Sequence, residues 1–274
     1  MKTNITIGIP VYNQKIEYLK ECLHSIVKQS TTPHEVLILD DGSENSYEVQ
    51  RLTEEYETKY IYQENQGIGS ARNAIAKNAT GTYLAYLSSD DAYAKNFLEE
   101  CIPFLDENTA TYVDVTYTNE SGISTNIFKA PEATKENVIK WALQKNMFIN
   151  FSGVILPRQI FSRVQFVNEL RKGEDLIFLL DTIVAELEWR HVAKPLLFYR
   201  VHEGMGTNQY VFSDWVKLWG YLVERLERLG VDDKTIKKAY VKSYKKTYPM
   251  CLTKEIKNIG RMLGLAKVKR RLKK

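Results

Sequence analysis

Long hydrophobic runs are missing from this sequence. No stretch approaches the roughly 20 apolar residues that a helix needs to span a bilayer, and the first residues, MKTNITIGIPVYNQ, lack the apolar core of a signal peptide. These absences argue against an integral membrane protein and against a secreted one. We therefore expect a protein that is cytoplasmic, or peripheral at the inner face of the cell membrane.

Cysteine is also scarce. Cys22, Cys101 and Cys251 lie far apart and match no metal-binding spacing, so we expect reduced thiols of the kind found in cytosolic proteins. Apolar residues as a class are plentiful, since 44% of the 274 residues are hydrophobic. That share is enough for a sizeable core in one large domain or two small ones.

Acidic residues are nearly absent from the C-terminal tail, residues 254–274, which holds nine basic residues and one acidic residue. The whole chain has a net charge of only +4, so the rest of it is net acidic. A basic tail with apolar residues on one side is typical of segments that lie on anionic membrane surfaces. RNA binding is the rival interpretation. Because no nucleic-acid motif accompanies the tail, we expect a membrane surface and no nucleic acid partner.

The first part of the chain alternates between strand and helix patterns. Four segments have the apolar composition of strands: 5–12, 34–43, 59–65 and 82–91. Three segments between them have helical character: 15–30, 46–58 and 70–79. This alternation predicts an α/β fold with a mostly parallel sheet flanked by helices.

Polar groups follow each of these strands. They are Pro10-Val11-Tyr12-Asn13, Asp40-Asp41-Gly42-Ser43, Asn65-Gln66-Gly67 and Ser89-Asp90-Asp91. Ligands bind beyond the carboxyl ends of parallel strands, so we expect these groups to converge on one crevice. Arg72 lies near the start of the next helix, where a guanidinium suits a pyrophosphate, although a surface ion pair with an aspartate is the alternative.

Asp90 and Asp91 raise a question that the pair alone does not answer. Adjacent carboxylates repel each other unless a cation or a hydrogen-bond network holds them. Ser-Ser-Asp-Asp is equally consistent with an ordinary turn or helix cap.

Four segments occur in the order and spacing of a known family: IPVYN, ILDDGS, ENQGIGSARNAI and YLSSDD. The chain resembles the family 2 glycosyltransferases of the GT-A fold, inverting enzymes of bacterial surface-polysaccharide synthesis. The resemblance is close over residues 4–110 and looser to about residue 205. It implies a nucleotide-sugar half (1–110) and an acceptor-binding, catalytic half (111–208) of one domain, followed by a helical extension with a basic tail (209–274).

The resemblance implies a nucleotide-sugar site formed by these residues: Pro10, Tyr12, Asn13, Asp41, Gly67, Arg72, Asp90 and Arg200. Asp41 would accept a hydrogen bond from the base. The imide N–H of uracil is a suitable donor for that bond, so a UDP-sugar is the expected substrate. Asp90 would contact the ribose or the donor sugar.

A divalent metal, Mn²⁺ or Mg²⁺, is the cofactor that the resemblance implies. Asp91 would bind it, and His202, in a YRVH segment similar to the family's closing loop, would complete the metal site. Arg200 of the same segment would contact phosphate, and Gly204 and Gly206 would let the loop close. One departure concerns Ser88, which stands where the commoner family pattern has an acid.

Glu174 and Asp175 precede an apolar helical run, residues 176–183. Acids in a first helical turn are favoured by the helix dipole, so a capping role is the alternative to chemistry. The resemblance implies that Asp175 is the general base for the acceptor hydroxyl, with Glu174 orienting the acceptor or the base. A single displacement with one base inverts the anomeric carbon.

Two further helices are predicted before the tail. Residues 213–230 form an amphipathic pattern, and residues 232–248 place Tyr240, Tyr244 and Tyr248 four residues apart, an arrangement that favours packing on the body of the protein.

These observations together predict an inverting hexosyl- or N-acetylhexosaminyltransferase. It would move a sugar from a nucleotide-diphosphate sugar to a glycan or lipid-linked acceptor in bacterial surface polysaccharide synthesis. A nucleotide-binding module without activity is the alternative, and an RNA-binding protein is a second one.

Overall fold

The computed structural model describes residues 4–203 and 212–247. The strands are β1 (Ile5–Val11), β2 (Glu35–Asp41), β3 (Lys59–Gln63), β4 (Tyr83–Tyr86), β5 (Ala92–Tyr93), β6 (Thr109–Thr118), β7 (Ser124–Phe128), β8 (Val154–Pro157) and β9 (Glu188–Arg200). The helices are α1 (Ile16–Val27), α2 (Ser46–Glu55), α3 (Ile68–Asn78), α4 (Phe97–Cys101), α5 (Lys135–Gln144), α6 (Glu174–Val184), α7 (Phe212–Arg228) and α8 (Asp233–Thr247).

The strands of these ranges form one sheet in the order β3-β2-β1-β4-β8-β6-β9-β5, with β7 paired to β6. Strands β3, β2, β1 and β4 are parallel, which confirms the predicted α/β architecture. Beyond β4 the sheet is mixed, because β8 runs antiparallel to β4 and β6 whereas β9 runs parallel to β6. All seven residues of β1 are buried, as expected for an apolar strand at the centre of a covered sheet.

Helices cover both faces of the sheet. Helices α1, α2 and α4 bury their apolar residues in one core, and helices α3, α5, α6, α7 and α8 bury theirs in the other. This layering leaves the carboxyl ends of β1, β2 and β4 at one edge, where the polar groups of the sequence lie.

The two C-terminal helices share the second core. Trp215 and Trp219 of α7 are fully buried and lie against Tyr240 of α8, with ring centroids 5.0 and 5.5 Å apart. Tyr240 and Tyr244 are buried, as the packing interpretation predicted. Residues on both sides of position 208 therefore contribute to one core. The predicted boundary between the catalytic half and the helical extension at that position stays a prediction.

Several predictions fall outside the described residues. They concern Gly204, Gly206, Tyr248, Cys251 and the tail 254–274. Among the helices that are described, none has the length and apolarity needed to cross a membrane.

Candidate active site

Two adjoining cavities open beside the carboxyl ends of the strands. The first, here called the loop cavity, has a volume of about 650 Å³ and is lined by loops after β1, β2 and β3. The second, the acidic cavity, has a volume of about 730 Å³ and contains Asp90, Glu174 and Asp175. Both are lined by Ile68, Arg171 and Lys172, so these three residues mark their junction. The predicted convergence of strand-end groups on one crevice fits this arrangement.

Asp41 organises the loop cavity. Its Oδ1 accepts hydrogen bonds from Gln63 Nε2 at 2.6 Å and from the backbone N–H of Gln66 at 2.9 Å, and its Oδ2 accepts one from the N–H of Gly67 at 2.8 Å. Gly67 has a φ of +87°, a conformation that favours glycine. Asp41 thereby fixes the loop between β3 and α3, and Oδ2 retains capacity for one further donor.

The loop after β1 is held by the loop after β2. The N–H of Asn13 donates to Ser43 Oγ at 2.9 Å, and Asn13 Oδ1 accepts from the N–H of Glu44 at 2.7 Å. These bonds use the backbone N–H and Oδ1 of Asn13, and its predicted role in nucleotide binding stays a prediction. Its neighbour Tyr12 is 54% exposed and lines the cavity together with Pro10.

Arg72 lies in the acidic cavity and forms a buried ion pair with Glu174. Arg72 Nη1 lies 2.8 Å from Glu174 Oε1, and the guanidinium also lies over the rings of Phe151 and Phe166. Arg72 therefore forms an ion pair, as the alternative interpretation proposed. Its partner is a buried glutamate 102 residues away in the chain and not a surface aspartate. A buried carboxylate needs such a partner, because desolvation penalises its charge.

Glu174 and Asp175 begin α6, directly after Gly173. Glu174 is buried, whereas Asp175 is half-buried and its Oδ1 accepts from the N–H of Leu176 at 2.7 Å. Burial raises the pKa of Asp175, and the positive charge of Arg72 opposes that rise. Burial and the charge of Asp175 likewise raise the pKa of Glu174. Asp175 is thus the more accessible carboxylate of the pair, with a proton affinity above that of an ordinary aspartate.

Asp91 is 1% exposed, and protein donors meet both of its oxygens. Oδ2 accepts from Ser152 Oγ at 2.7 Å, and Oδ1 accepts from the N–H of Arg200 at 3.1 Å. Burial and the neighbouring Asp90 raise its pKa. Asp91 lines neither cavity, so the structure does not bring its predicted metal-binding oxygens to a cavity surface.

Asp90 has a different environment, since its side chain is 22% exposed and lines the acidic cavity. Its Oδ2 lies 3.0 Å from His202 Nε2. The structure therefore brings the predicted metal-binding histidine to Asp90 and not to Asp91.

Arg200 is held by protein acceptors at each of its side-chain nitrogens. Nε donates to the carbonyl of Asp90 at 3.1 Å, Nη1 donates to the carbonyl of Glu120 at 2.7 Å, and Nη2 pairs with the carboxylate of Glu21. The guanidinium also lies 4.6 Å from the ring centroid of Tyr18. The predicted phosphate contact does not fit this arrangement, because the side chain already fixes the backbone around Asp90.

Asp90 and His202 offer one carboxylate and one imidazole as metal ligands. Across residues 4–203 and 212–247, no group of three or more His, Cys, Asp and Glu side chains is arranged to hold a metal. Two protein ligands are nevertheless consistent with a divalent cation that also binds the oxygens of a charged ligand and water. A mixed oxygen and imidazole set suits Mn²⁺ better than Mg²⁺.

Sequence reasoning missed three residues of the site. Ser152 bridges Ser88 and Asp91, with its Oγ 2.8 Å from Ser88 Oγ, but the serine has no local pattern that would reveal this. Arg171 and Lys172 do have a signal, because two adjacent cations directly precede Gly173 and the acidic pair.

Known proteins share sequence with much of this chain. The model of the family described as glycosyl transferase family 2 matches residues 6–166. An uncharacterized glycosyltransferase of Rickettsia felis is 35% identical over 216 residues, 75% of this chain, and the match spans only 34% of that longer relative. The putative teichuronic acid biosynthesis glycosyltransferase TuaG of Bacillus subtilis is 26% identical over 83% of this chain and 90% of its own length.

A solved structure gives the same picture of the fold. The crystal structure of S. aureus TarS 1-349 in complex with UDP-GlcNAc superimposes with a TM-score of 0.67 and 20% identity, covering 91% of this chain and 73% of that one. The likeness confirms the predicted GT-A fold. With the family match across residues 6–166, it leads to one conclusion: the chain belongs to glycosyl transferase family 2, a family of glycosyltransferases.

Proposed function

We propose that this protein is a metal-dependent, inverting glycosyltransferase that takes its sugar from a UDP-sugar. The observation that carries the proposal is the placement of Asp90 and Asp175 on one cavity that adjoins the loop cavity. A nucleoside in the loop cavity would place the sugar of the same donor beside these two carboxylates.

The loop cavity has the groups that a pyrimidine nucleotide needs. The exposed ring of Tyr12 offers an apolar surface for a base. Asp41 Oδ2 accepts one hydrogen bond from the protein and can accept another from the imide N–H of uracil. TarS, which shares the fold, was crystallised with UDP-GlcNAc and with UDP, which supports the same donor class here.

Asp90 and His202 are the residues that would hold the divalent metal. This assignment replaces Asp91, because Asp91 lines neither cavity, whereas Asp90 lines the acidic cavity. When bound, the cation would supply positive charge that stabilises the leaving diphosphate.

Asp175 would act as the general base. Its carboxylate would accept the proton of the acceptor hydroxyl as the hydroxyl oxygen attacks the anomeric carbon and the bond to the diphosphate breaks. Attack from the face opposite the leaving group inverts that carbon. The Arg72–Glu174 ion pair would hold the start of α6 and keep Asp175 ionised, since Arg72 lowers the pKa of Asp175.

The acceptor would be a glycan or a lipid-linked glycan of a bacterial surface polymer. The name of TuaG, which refers to teichuronic acid biosynthesis, supports this setting. The basic tail supports action at an anionic membrane surface, where lipid-linked acceptors lie.

Release of nucleoside diphosphate from UDP-, GDP- and dTDP-sugars in the presence of Mn²⁺ tests the proposal. We expect UDP release by the unaltered protein and a loss of at least about 100-fold in Asp175→Asn, because a general base contributes a factor of that order. Glu136→Gln is the matched control, since it removes an acid from the first turn of another helix, α5, on an exposed surface. A protein that binds UDP but releases none from any donor would favour the binding module without activity.

A further inference from the structure

Arg171 and Lys172 lie where the two cavities meet. Together with Ile68, they are the lining residues that the loop cavity and the acidic cavity share. In a nucleotide-diphosphate sugar, the diphosphate joins the nucleoside to the sugar. If the proposed function is right, the diphosphate must therefore cross this junction.

The charges around the junction favour these two residues as its cations. Among the described residues that line the two cavities, the cationic ones are Arg72, Arg171 and Lys172. Arg72 already pairs with Glu174 at 2.8 Å, so much of its charge is balanced within the protein. The acidic cavity also contains Asp90 and Asp175, and a diphosphate would be repelled there without positive charge nearby.

Helix α7 packs against this junction. Asp214, in its first turn, is 6% exposed and lines the loop cavity beside Lys172. Burial lowers the pKa of Lys172, and the negative charge of Asp214 opposes that change. One turn further, Leu218 packs so closely on Gly173 that a Cβ at Gly173 would lie 2.9 Å from Leu218 Cδ1.

We propose that Arg171 and Lys172 form the binding site for the donor's diphosphate, and that Asp214 is a positioning residue that holds Lys172 there. The inference rests on the proposed function and extends it. Helix α7, which contains Asp214, would then be a component of the donor site. This helix lies beyond residues 6–166, the part of the chain that the family model matches.

The test compares UDP with uridine, which share a base and ribose but differ in the diphosphate. Calorimetry measures the affinity for UDP, and ligand-observed NMR measures the weaker affinity for uridine. Both measurements are made in EDTA, so that only direct contacts with the protein contribute and bound metal does not. We expect Lys172→Gln and Arg171→Gln each to weaken UDP binding about tenfold, the effect of one charge-assisted hydrogen bond, while uridine binding is unchanged. Lys140→Gln, an exposed lysine on α5, is the control and should change neither affinity.

Asp214→Asn distinguishes a positioning role from a structural one. We expect about a threefold loss of UDP affinity that disappears when Lys172 is already Gln, because Asp214 acts through Lys172. Asp214→Glu should restore most of the loss. If Asp214 were merely structural, Asp214→Asn would weaken uridine binding as well. Its effect on UDP affinity would then add to the effect of Lys172→Gln.

Two results would overturn the inference while leaving the proposed function intact. One is an unchanged UDP affinity in both Arg171→Gln and Lys172→Gln. The other is a loss of uridine affinity equal to the loss of UDP affinity. If the unaltered protein binds no UDP even with Mn²⁺, the proposed function itself fails and this inference fails with it.

Discussion

Asp90 and Asp91 are neighbours in the chain but meet opposite environments. Asp91 points into the protein, where Ser152 and the backbone of Arg200 satisfy it, while Asp90 lines the cavity beside His202. Burying one carboxylate in a hydrogen-bond network is what allows two adjacent acids to coexist. Asp91 thus has the structural role that the sequence left open, and the proposed metal role falls to Asp90.

Substitution of each acid should have a different consequence. Asp90→Ala should abolish the gain in UDP affinity that Mn²⁺ provides and should cost less unfolding free energy than Asp91→Ala, because the Asp90 side chain is partly exposed. Asp91→Ala should lower the free energy of unfolding by about 1–3 kcal/mol, since it leaves buried donors unsatisfied. Calorimetric titration with UDP and denaturant unfolding measure the two effects. If Asp91→Ala, and not Asp90→Ala, removed the Mn²⁺ effect in a stably folded protein, the original metal assignment would be restored.

Arg72 should set the acid limit of activity. Its charge lowers the pKa of Asp175 against the rise caused by burial. In Arg72→Gln we therefore expect the acidic limb of the pH–rate profile to move to higher pH, because the base would be protonated over a wider range. Arg72→Lys retains a positive charge and should move the limb less. An unmoved limb in Arg72→Gln would mean that Asp175 is not the group whose ionisation limits the rate.

The positions of two predicted site residues could be predicted from the sequence because each lies at one end of a regular element. Asp41 ends β2 and lines the loop cavity, and Asp175 lies in the first turn of α6 and lines the acidic cavity. The environment of Arg200 could not be predicted, because its partner Glu21 lies 179 residues away in the chain and reaches it only through the fold.

At the scale of elements, the turn before α6 depends on Gly173. It has a φ of +79° and packs directly under Leu218 of α7. The turn therefore links the helix that contains Asp175 to the C-terminal helices.

Gly173→Ala should destabilise the protein for two reasons, the positive φ and a clash with Leu218. Gly230 provides the matched control, since its φ is +85° and a Cβ there would meet nothing within 4 Å. We expect Gly230→Ala to cost about 1–2 kcal/mol of unfolding free energy, and Gly173→Ala to cost more. Leu218→Ala should reduce the excess cost of Gly173→Ala. Equal costs for the two glycine substitutions would show that α7 does not brace this turn.

The alternating elements of the first half were predictable because each has a local pattern. The predicted strand 5–12 and helix 70–79 correspond to β1 and α3, with ends that differ by one or two residues. Strands β6 and β7 and helix α5 were not predicted. Strand β6 pairs with β9 through a register that shifts at Asp114, and such long-range pairing has no signature in a single segment.

In the whole molecule, helices α7 and α8 share a core with α5 and α6. Their tryptophans and tyrosines complete the core that also contains α5 and α6. The sequence predicted both helices but gave no indication that Asp214 would line the loop cavity, because only the fold brings α7 there.

The basic tail should attach the whole protein to anionic membranes. Removal of residues 254–274 eliminates nine basic residues, so we expect binding to vesicles with anionic lipid to fall to the level seen with neutral vesicles. UDP binding should be unchanged. Vesicle co-sedimentation in low and high salt measures the effect. Undiminished binding by the shortened protein would mean that another surface provides the attachment.

Every proposed role depends on a metal-assisted nucleotide-sugar site at the carboxyl ends of the strands. Calorimetric titration of the full chain with UDP, GDP and dTDP, each in Mn²⁺ and in EDTA, measures binding at this site. We expect UDP to bind most tightly, Mn²⁺ to strengthen its binding, and Asp175→Asn to bind UDP equally well. Absence of binding by every nucleotide in Mn²⁺ would mean that the protein has no such site.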